Sequence, residues 1–286
     1  MEQCTAFVLG GGGSRGALQV GALRALLEAG IVPDLLVGTS IGAANAAGLA
    51  LWGVNLNGLS ALERVWEQVA CTEILDPRIS RLIFRIMVGQ PSDQARKKVE
   101  NYFVSLGLTR AIEFHMLPNI RLALVSADLE TGQTLLYGQN PEDPLLEGLL
   151  ASIAVPPWFM PLQKDGRIIM DGGLVSPLPI EPALRMGATE IIALDLDDPN
   201  LIPNENLTLV QYCQKYLFAA SRRHIQLETQ IAEAQGVTVR RIDFQGLVKT
   251  PLWDFSDYPR LRKAGYQKAK KLIAEWSQEP HPEPAF

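Results

Sequence analysis

Short, continuous apolar runs alternate along the chain with longer segments whose apolar residues recur every three or four positions. The first run, Thr5–Leu9, ends in glycines and predicts a buried strand. The segment ALQVGALRALLEAG follows it, with leucines at helical spacing: Leu18, Leu23, Leu26 and Leu27. The same alternation predicts further strands at residues 34–37, 120–129, 133–138, 167–170, 190–196 and 237–244, and further helices at residues 95–103, 145–152, 181–186, 209–234 and 259–276.

The predicted strands are continuously apolar and do not alternate between apolar and polar positions. This pattern is typical of a mostly parallel sheet that is covered on both faces. We therefore predict an α/β fold, a three-layer α/β/α sandwich with a mostly parallel central sheet. The chain has no internal repeat and no long linker, so we expect one domain over residues 1–276 and a disordered, proline-rich tail over residues 277–286.

Composition narrows the classes of function. Hydrophobic residues make up 47% of the chain, which is ample for a core. The net charge of −5 gives no basic surface for nucleic acid, so we expect no nucleic-acid partner. The cysteines, Cys4, Cys71 and Cys213, lack metal-ligand spacing and suit a reducing compartment. We predict no metal site.

The location of the protein is predicted from two stretches. The first residues lack the basic region and cleavage site of a signal peptide. Residues 35–62 carry no charge and are long enough for a membrane span, but glycines and asparagines interrupt them. A strand, a tight turn and a buried helix account for them better. We expect a cytoplasmic protein with a peripheral contact to membranes.

The basis for that contact is RISRLIFRIMVG, residues 78–89. Its apolar side chains fall on one helical face and its arginines on another. The apolar positions are Ile79, Leu82, Ile83, Ile86 and Met87, and the basic positions are Arg78, Arg81 and Arg85. Such a helix packs on a core with its arginines in water, or lies as a lid on an anionic membrane surface.

A first glycine-rich turn, residues 10–16, follows the first predicted strand. Consecutive glycines let backbone N–H groups approach a ligand, and the next helix begins there with its partial positive charge. The turn can therefore bind a phosphate, or the oxyanion formed when an ester is attacked. It also fits the dinucleotide fingerprint, but the following acid, Asp34, lies at the beginning of the second strand and not at its end.

Two more turns carry candidate chemistry. Gly38-Thr39-Ser40-Ile41-Gly42 lies between a strand and a helix and has the form of a nucleophile elbow. The simpler interpretation is that Ser40 caps the helix. Asp171-Gly172-Gly173 follows another strand and offers a carboxylate, although Asp-Gly turns are common without a function.

In this order the three turns resemble the motifs of the patatin-like phospholipase family. That family combines a Gly-Gly-Gly-x-Arg/Lys-Gly turn, a Gly-x-Ser-x-Gly elbow and an Asp-Gly-Gly/Ala turn. The resemblance extends to ASIAVPPWFMPL before Asp171, to the segment that follows it and to DFSDYPRLRKAGY near the end. Residues 53–119 diverge, and Ser176 stands where many relatives carry asparagine.

The resemblance implies a serine lipid acyl hydrolase without a catalytic histidine or a cofactor. Ser40 would be the nucleophile and Asp171 its base, and the substrate would be a phospholipid or another acyl ester. The oxyanion hole would consist of Gly11, Gly12 and Gly13, and the supporting residues would be Arg15, Gly38, Gly42, Gly172 and Gly173. Arg15 would orient its loop or meet a phosphate-bearing head group.

The three histidines favour a base other than imidazole. His281 is in the tail, His115 precedes a strand beside a proline, and His224 falls in a polar helical stretch where we expect it to be solvated. Two other functions stay open: a nucleotide-binding module that uses only the first glycine turn, and a catalytically silent family member that binds lipid or a partner.

Overall fold

The computed structural model describes residues 3–71, 93–156 and 159–278. The strands are β1 (Thr5–Leu9), β2 (Leu35–Thr39), β3 (Arg121–Asp128), β4 (Thr134–Tyr137), β5 (Leu162–Lys164), β6 (Arg167–Asp171), β7 (Glu190–Asp195) and β8 (Thr238–Asp243). The helices are α1 (Gly16–Glu28), α2 (Ile41–Trp52), α3 (Leu56–Cys71), α4 (Asp93–Ser105), α5 (Leu145–Ser152), α6 (Ile180–Arg185), α7 (Leu209–Ala234) and α8 (Tyr258–Trp276).

The strands form one sheet in the order β5-β6-β3-β2-β1-β7-β8, and β4 pairs with β3. Five neighbouring strands run parallel to one another: β3, β2, β1, β7 and β8. At the other end, β4, β5 and β6 form antiparallel pairs. The predicted parallel sheet is therefore confirmed for its five-stranded part, and the antiparallel end was not predicted.

Successive residues of the parallel strands point into two separate cores. In β1, Phe7 and Leu9 pack into the core under α1, α2 and α8, whereas Ala6 and Val8 pack into the core under α6 and α7. Both sets are fully buried because helices cover both faces of the sheet. The three-layer α/β/α architecture is confirmed.

Most predicted elements match the structure within two residues at each end. The hairpin of β5 and β6 was missed, although its turn residues Asp165 and Gly166, both with positive φ, form an Asp-Gly hairpin signal. The predicted lid, residues 78–89, lies outside the described residues, as does all of the predicted tail after Gln278. No helix within the described ranges has the length and apolar character that a bilayer span requires.

Candidate active site

Ser40 stands at the sharp turn between β2 and α2. Its backbone angles, φ 57° and ψ −125°, are unusual for a residue with a side chain and indicate local strain of about 1–3 kcal/mol. It precedes the first residue of α2, but its side chain makes no capping hydrogen bond. The simple interpretation of Ser40 as a helix cap is therefore wrong, because the hydroxyl is not used in that role.

The glycines on either side of Ser40 allow this turn to pack against neighbouring backbone. A Cβ at Gly42 would lie 2.1 Å from the carbonyl oxygen of Leu9. A Cβ at Gly38 would lie 2.5 Å from the carbonyl oxygen of Gly42. Both distances are impossible for a real side chain. The sequence thus places glycine where the helix start and the end of β1 meet.

The first glycine turn lies directly beside Ser40. A Cβ at Gly11 would lie 3.2 Å from the Cβ of Ser40. The Gly11 N–H already donates to the carbonyl of Pro177 at 2.9 Å. The N–H groups of Gly12 and Gly13 donate no hydrogen bond to any described residue. This geometry leaves Gly12 and Gly13 as the candidate oxyanion donors and corrects the expectation that Gly11 would be a third.

Arg15 lies beneath this turn and not at its surface. Only 1% of the residue is exposed, its Nη1 donates to the carbonyl of Leu196 at 2.5 Å, and its Nη2 lies 3.7 Å from Oδ2 of Asp198. Burial lowers the pKa of Arg15, and the carboxylate of Asp198 opposes this shift. The position fits the predicted role of orienting the loop. It does not fit the predicted contact with a head group.

Asp171 reaches Ser40 because of strand pairing. Val125 of β3 pairs with Thr39, and the next residue, Ser126, pairs with Asp171. Strand β4 lies along one edge of β3, where it pairs with residues 124–127. Strands β2 and β6 each pair with some of these same residues, so both must lie along the opposite edge of β3. The end of β6 therefore meets the end of β2, where the chain turns at Ser40.

The carboxylate of Asp171 is buried beside the Ser40 hydroxyl. Its Oδ1 accepts a hydrogen bond from the Gly173 N–H at 2.7 Å, and its Oδ2 is buried without a hydrogen bond of normal geometry. Burial raises the pKa of Asp171 to about 6, against smaller lowering contributions from the Ser40 hydroxyl and the Gly173 N–H. A carboxylate in this state is a much better base than a solvated one.

The glycines after Asp171 have separate roles. A Cβ at Gly172 would lie 2.4 Å from the carbonyl oxygen of Val125, so the turn can follow β3 this closely only with glycine. Gly173 supplies the N–H that fixes Oδ1. Ser176 continues this turn: its N–H donates to the Gly172 carbonyl at 2.8 Å, and its own carbonyl accepts a hydrogen bond from Thr39 Oγ1 at 2.9 Å.

His224 is closer to the site than the sequence predicted. It is half-buried on α7, and its Nδ1 lies 2.9 Å from the carbonyl oxygen of Val175. The expectation of a solvated helix residue is wrong, because α7 packs on the turn that follows Asp171. His115 is exposed, with its Nδ1 3.1 Å from the Pro141 carbonyl oxygen.

Asp34 has a structural role at the opposite end of the sheet. Its Oδ2 accepts a hydrogen bond from the N–H of Thr5 at 2.8 Å, where β1 begins. The glycine turn follows the other end of β1, so Asp34 cannot bind the ribose of a nucleotide held at that turn. This geometry argues against the dinucleotide interpretation.

A cavity of about 830 Å³ opens at Ser40 and Asp171. Its wall is mostly apolar and includes Trp52, Leu62, Trp66, Val99, Phe103 and Phe159. The glycine turn forms part of the same wall. The size and lining are those of a site for a hydrophobic ligand with its polar group held at one point. No cluster of histidine, cysteine, aspartate or glutamate suited to a metal ion occurs in the part of the chain that the structure describes.

Comparison with known proteins identifies the family of this chain. The family model for patatin-like phospholipase matches residues 7–184, a range that contains all three glycine turns. The chain belongs to the patatin-like phospholipase family. Patatin-like phospholipase domain-containing protein 6 of Homo sapiens is 30% identical over 294 residues, which cover 96% of this chain and 20% of the human protein. An uncharacterized NTE family protein of Mycobacterium tuberculosis is 31% identical over 193 residues, which cover 67% of this chain and 49% of the relative.

This patatin-like chain therefore spans about a fifth of the human relative and about half of the mycobacterial one. Among solved structures, it is similar to human GIVD cytosolic phospholipase A2 in complex with methyl gamma-linolenyl fluorophosphonate. That similarity has a TM-score of 0.49 and 12% sequence identity, and covers 96% of this chain and 58% of the other. So distant a similarity says nothing about the chemistry of this chain.

Two supporting residues of the patatin-like site were missed by sequence reasoning. The N–H of Ser40 donates to Oγ of Ser152 at 3.0 Å, and the N–H of Asp171 donates to the carbonyl of Ala154 at 3.0 Å. The last residue of α5 and the segment that follows it thus hold both candidate catalytic residues. Ser152 and Ala154 both lie in ASIAVP, residues 151–156. This segment belongs to the stretch that resembles the family, but the sequence analysis singled out no residue within it.

A buried polar chain beneath the glycine turn was also missed. Nε2 of Gln19 donates to the carbonyl of Gly10 at 2.8 Å, Nδ2 of Asn45 donates to Oε1 of Gln19 at 3.0 Å, and Nε1 of Trp66 donates to Oδ1 of Asn45 at 2.8 Å. Gln19 and Asn45 are fully buried polar residues in otherwise apolar helices. Polar residues that interrupt an apolar helical pattern are the sequence signal from which Gln19 and Asn45 could have been identified.

Proposed function

We propose that this chain is a serine lipid acyl hydrolase that cleaves carboxylic esters through a Ser40–Asp171 dyad and an acyl-enzyme intermediate. The observation that carries the proposal is the convergence of three groups in one apolar cavity. A strained serine whose side chain makes no capping hydrogen bond lies beside a buried carboxylate and beside two backbone N–H groups that donate to no described residue. Family membership supports a lipid ester as the substrate class.

In the proposed acylation step, Asp171 takes the proton of the Ser40 hydroxyl while Oγ attacks the ester carbonyl. Oδ2 is the acceptor, because Oδ1 is already held by the Gly173 N–H. The carbonyl oxygen becomes an oxyanion that the N–H groups of Gly12 and Gly13 stabilise. When the intermediate collapses, the bond to the alcohol breaks, and the leaving alkoxide takes the proton from Asp171. The acyl group stays on Ser40.

In deacylation, water attacks the acyl carbonyl and Asp171 accepts a proton from the water. The same two N–H groups bind the second oxyanion. Collapse breaks the bond between the acyl carbon and Oγ, and Asp171 returns the proton to Ser40 as the carboxylic acid leaves. The enzyme is thereby restored.

The raised pKa of Asp171 suits both steps. General-base catalysis is most effective when the pKa of the base lies near the working pH. Burial brings this carboxyl to about 6, so it is ionised at neutral pH and still accepts a proton readily. The buried ion pair of Arg15 and Asp198 supports the adjoining glycine turn from below.

The substrate we propose is a phospholipid or a related acyl ester. The mostly apolar cavity supports an acyl chain beside Ser40, and the alcohol part would face the opening. A peripheral contact with membranes would bring such a substrate to the site.

The proposal is tested by hydrolysis of a p-nitrophenyl acyl ester. Ser40→Ala should abolish turnover while circular dichroism and thermal unfolding show a folded protein. Ser105→Ala, an exposed serine on α4, is the matched control and should keep the full rate. Turnover by Ser40→Ala at the wild-type rate would refute the proposal, and a wild-type protein without any esterase activity would favour the silent, lipid-binding alternative.

A further inference from the structure

Helix α7 buries side chains fully only towards its C-terminal end. It has 26 residues, and its buried residues are Ile225, Glu228 and Ala232, all in its second half. Residues 209–224, about 24 Å of helix at 1.5 Å per residue, contain no buried side chain in the described structure. The first 16 residues of the helix therefore contact the body of the protein only through partly buried side chains.

Residues 209–217 of α7 are apolar where they are most exposed. We define the α7 patch as its large exposed apolar side chains, with their exposed fractions: Leu209 (79%), Val210 (64%), Tyr212 (60%), Tyr216 (76%) and Leu217 (56%). At 100° per residue, these five positions lie within an arc of about 160°. One side of the helix is thus a continuous apolar stripe. Exposed apolar stripes of this size mark an interaction surface.

The helix keeps its form at this exposed end through its own cap. The N–H of Gln211 donates to Oγ1 of Thr208 at 3.3 Å, and Oε1 of Gln211 accepts from the N–H of Thr208 at 2.8 Å. This reciprocal capping box satisfies the N–H groups of Thr208 and Gln211 without tertiary contacts. The α7 patch is therefore presented on a preformed helix.

The charge around the patch favours an anionic lipid surface as the partner. Residues 208–227 contain Lys215, Arg222 and Arg223 and no acidic residue, in a chain whose net charge is −5. Arg222 lies 3.6 Å from Asp197, whereas Lys215 and Arg223 make no ion pair with any described residue. A helix with an apolar face, tyrosines and basic side chains is the form that binds in the plane of a membrane interface.

The helix also connects the patch with the cavity. Phe218, Ser221 and Ile225 line the cavity that contains Ser40. At 100° per residue, Phe218 and Ile225 lie on the side of α7 away from the patch, and Ser221 lies next to its edge. A surface that binds the patch would therefore lie against the same helix that forms one wall of the candidate active site.

We propose that the α7 patch docks this protein on an anionic phospholipid surface, with its apolar side chains at the boundary of head groups and acyl chains. The purpose of docking, the delivery of a lipid ester to the cavity, rests on the proposed function. The docking itself does not, because neither Ser40 nor Asp171 takes part in it.

The test is co-sedimentation with vesicles of phosphatidylcholine and phosphatidylglycerol in equal parts. All proteins carry Ser40→Ala, so that vesicles stay intact. The test variant adds Leu209→Gln, Tyr216→Gln and Leu217→Gln, which keep helix propensity and sit at exposed positions. Binding should weaken by about tenfold or more, because three side chains lose their apolar burial. The control adds Val32→Gln, Met116→Gln and Leu129→Gln, exposed apolar residues elsewhere, and should bind as the parent does.

Further arms separate the alternatives. Binding should weaken when phosphatidylglycerol is omitted or salt is raised, since Lys215 and Arg223 attract the anionic surface. With Ser40 restored, the α7 variant should hydrolyse a soluble short-chain ester at the wild-type rate. If esterase activity is absent from the wild type but vesicle binding depends on the patch, the proposed function fails and the docking proposal stands.

Three results would overturn the docking proposal. The first is a parent protein that does not bind these vesicles, and the second is equal binding by the test and parent proteins. The third is a wild-type dimer in light scattering that the α7 variant converts to a monomer, which would assign the patch to a second copy of the chain.

Discussion

The N–H of Ser40 donates a hydrogen bond to the hydroxyl of Ser152 at 3.0 Å, and that hydroxyl donates to the carbonyl of Val125 at 2.6 Å. One buried side chain thus satisfies two backbone groups, one at the elbow and one in the central sheet. Ser40 has an unusual backbone conformation, which persists only if its surroundings fix it. Ser152 is part of what fixes it.

Ser152→Ala should therefore lower kcat with little effect on KM. It should also lower the free energy of unfolding by about 1–3 kcal/mol, since two backbone groups lose their partner. Steady-state kinetics on a p-nitrophenyl ester and urea unfolding measure the two effects. Ser126→Ala is the matched control, because Ser126 is equally buried but its hydroxyl has no hydrogen-bond partner in the described structure. Equal kinetics for both variants would show that Ser152 does not position the elbow.

Asp171→Asn should reduce kcat by about 10²–10⁴-fold, the usual contribution of a general base. In the wild type, kcat/KM should fall as the pH drops through about 6, where Asp171 becomes protonated. The pH profile and the variant are measured on the same soluble ester. Retention of most of the rate by Asp171→Asn would exclude this carboxylate as the base.

The same variant should be more stable than the wild type at neutral pH. The folded pKa of Asp171, about 6, lies above the value of 3.8 for a solvated aspartate, so folding favours its protonated form. Stability from this group is present below about pH 4 and is lost as the pH rises to about 6. Above that pH the loss amounts to at most about 3 kcal/mol. Thermal unfolding at pH 4 and pH 8 should show a gain for Asp171→Asn only at the higher pH.

Gly13→Ala should inactivate the protein because it displaces the candidate oxyanion donors. Gly13 has φ 57°, and a Cβ there would lie 2.2 Å from the carbonyl oxygen of Leu252. Gly30→Ala is the control. Gly30 has φ 75°, so the substitution introduces similar backbone strain, but a Cβ at this position would contact nothing within 4 Å. Full activity of both folded variants would remove the glycine turn from the mechanism.

His224→Ala should cost less than about tenfold in kcat and about 0.5–1.5 kcal/mol in stability, the contribution of one hydrogen bond. Its Nδ1 faces the carbonyl oxygen of Val175 and so braces the turn after Asp171 without contacting the carboxylate. Kinetics of His224→Ala and Asp171→Asn should be compared directly. A folded but inactive His224→Ala, beside an active Asp171→Asn, would assign the proton transfer to the histidine.

The periodicity of the sequence predicted the strands and helices well where the pattern is long. Helices α5 and α7 begin and end at the predicted residues, 145–152 and 209–234. The edge strand β5 was missed because three residues with one buried side chain carry no periodic signal. The antiparallel end of the sheet depends on tertiary pairing of β6 with β3, which no local pattern encodes.

The candidate site was predictable as a set of turns but not as a geometry. Ser40, Asp171 and the glycines could be named because their motifs are local in sequence. The loss of Gly11 as a donor could not be foreseen, since its partner, Pro177, is distant in the chain. For the same reason Arg15 gave no sign of its buried partner Asp198, and His224 gave no sign of Val175.

The central claim, that Ser40 is the nucleophile of this chain, is tested most directly by reaction with a fluorophosphonate ester and mass mapping of the modified residue. Ser40 should carry the label in the wild type, and Asp171→Asn should label far more slowly, because its Ser40 hydroxyl lacks a base. A label on another residue, or equal labelling of Ser40→Ala and the wild type, would contradict the claim.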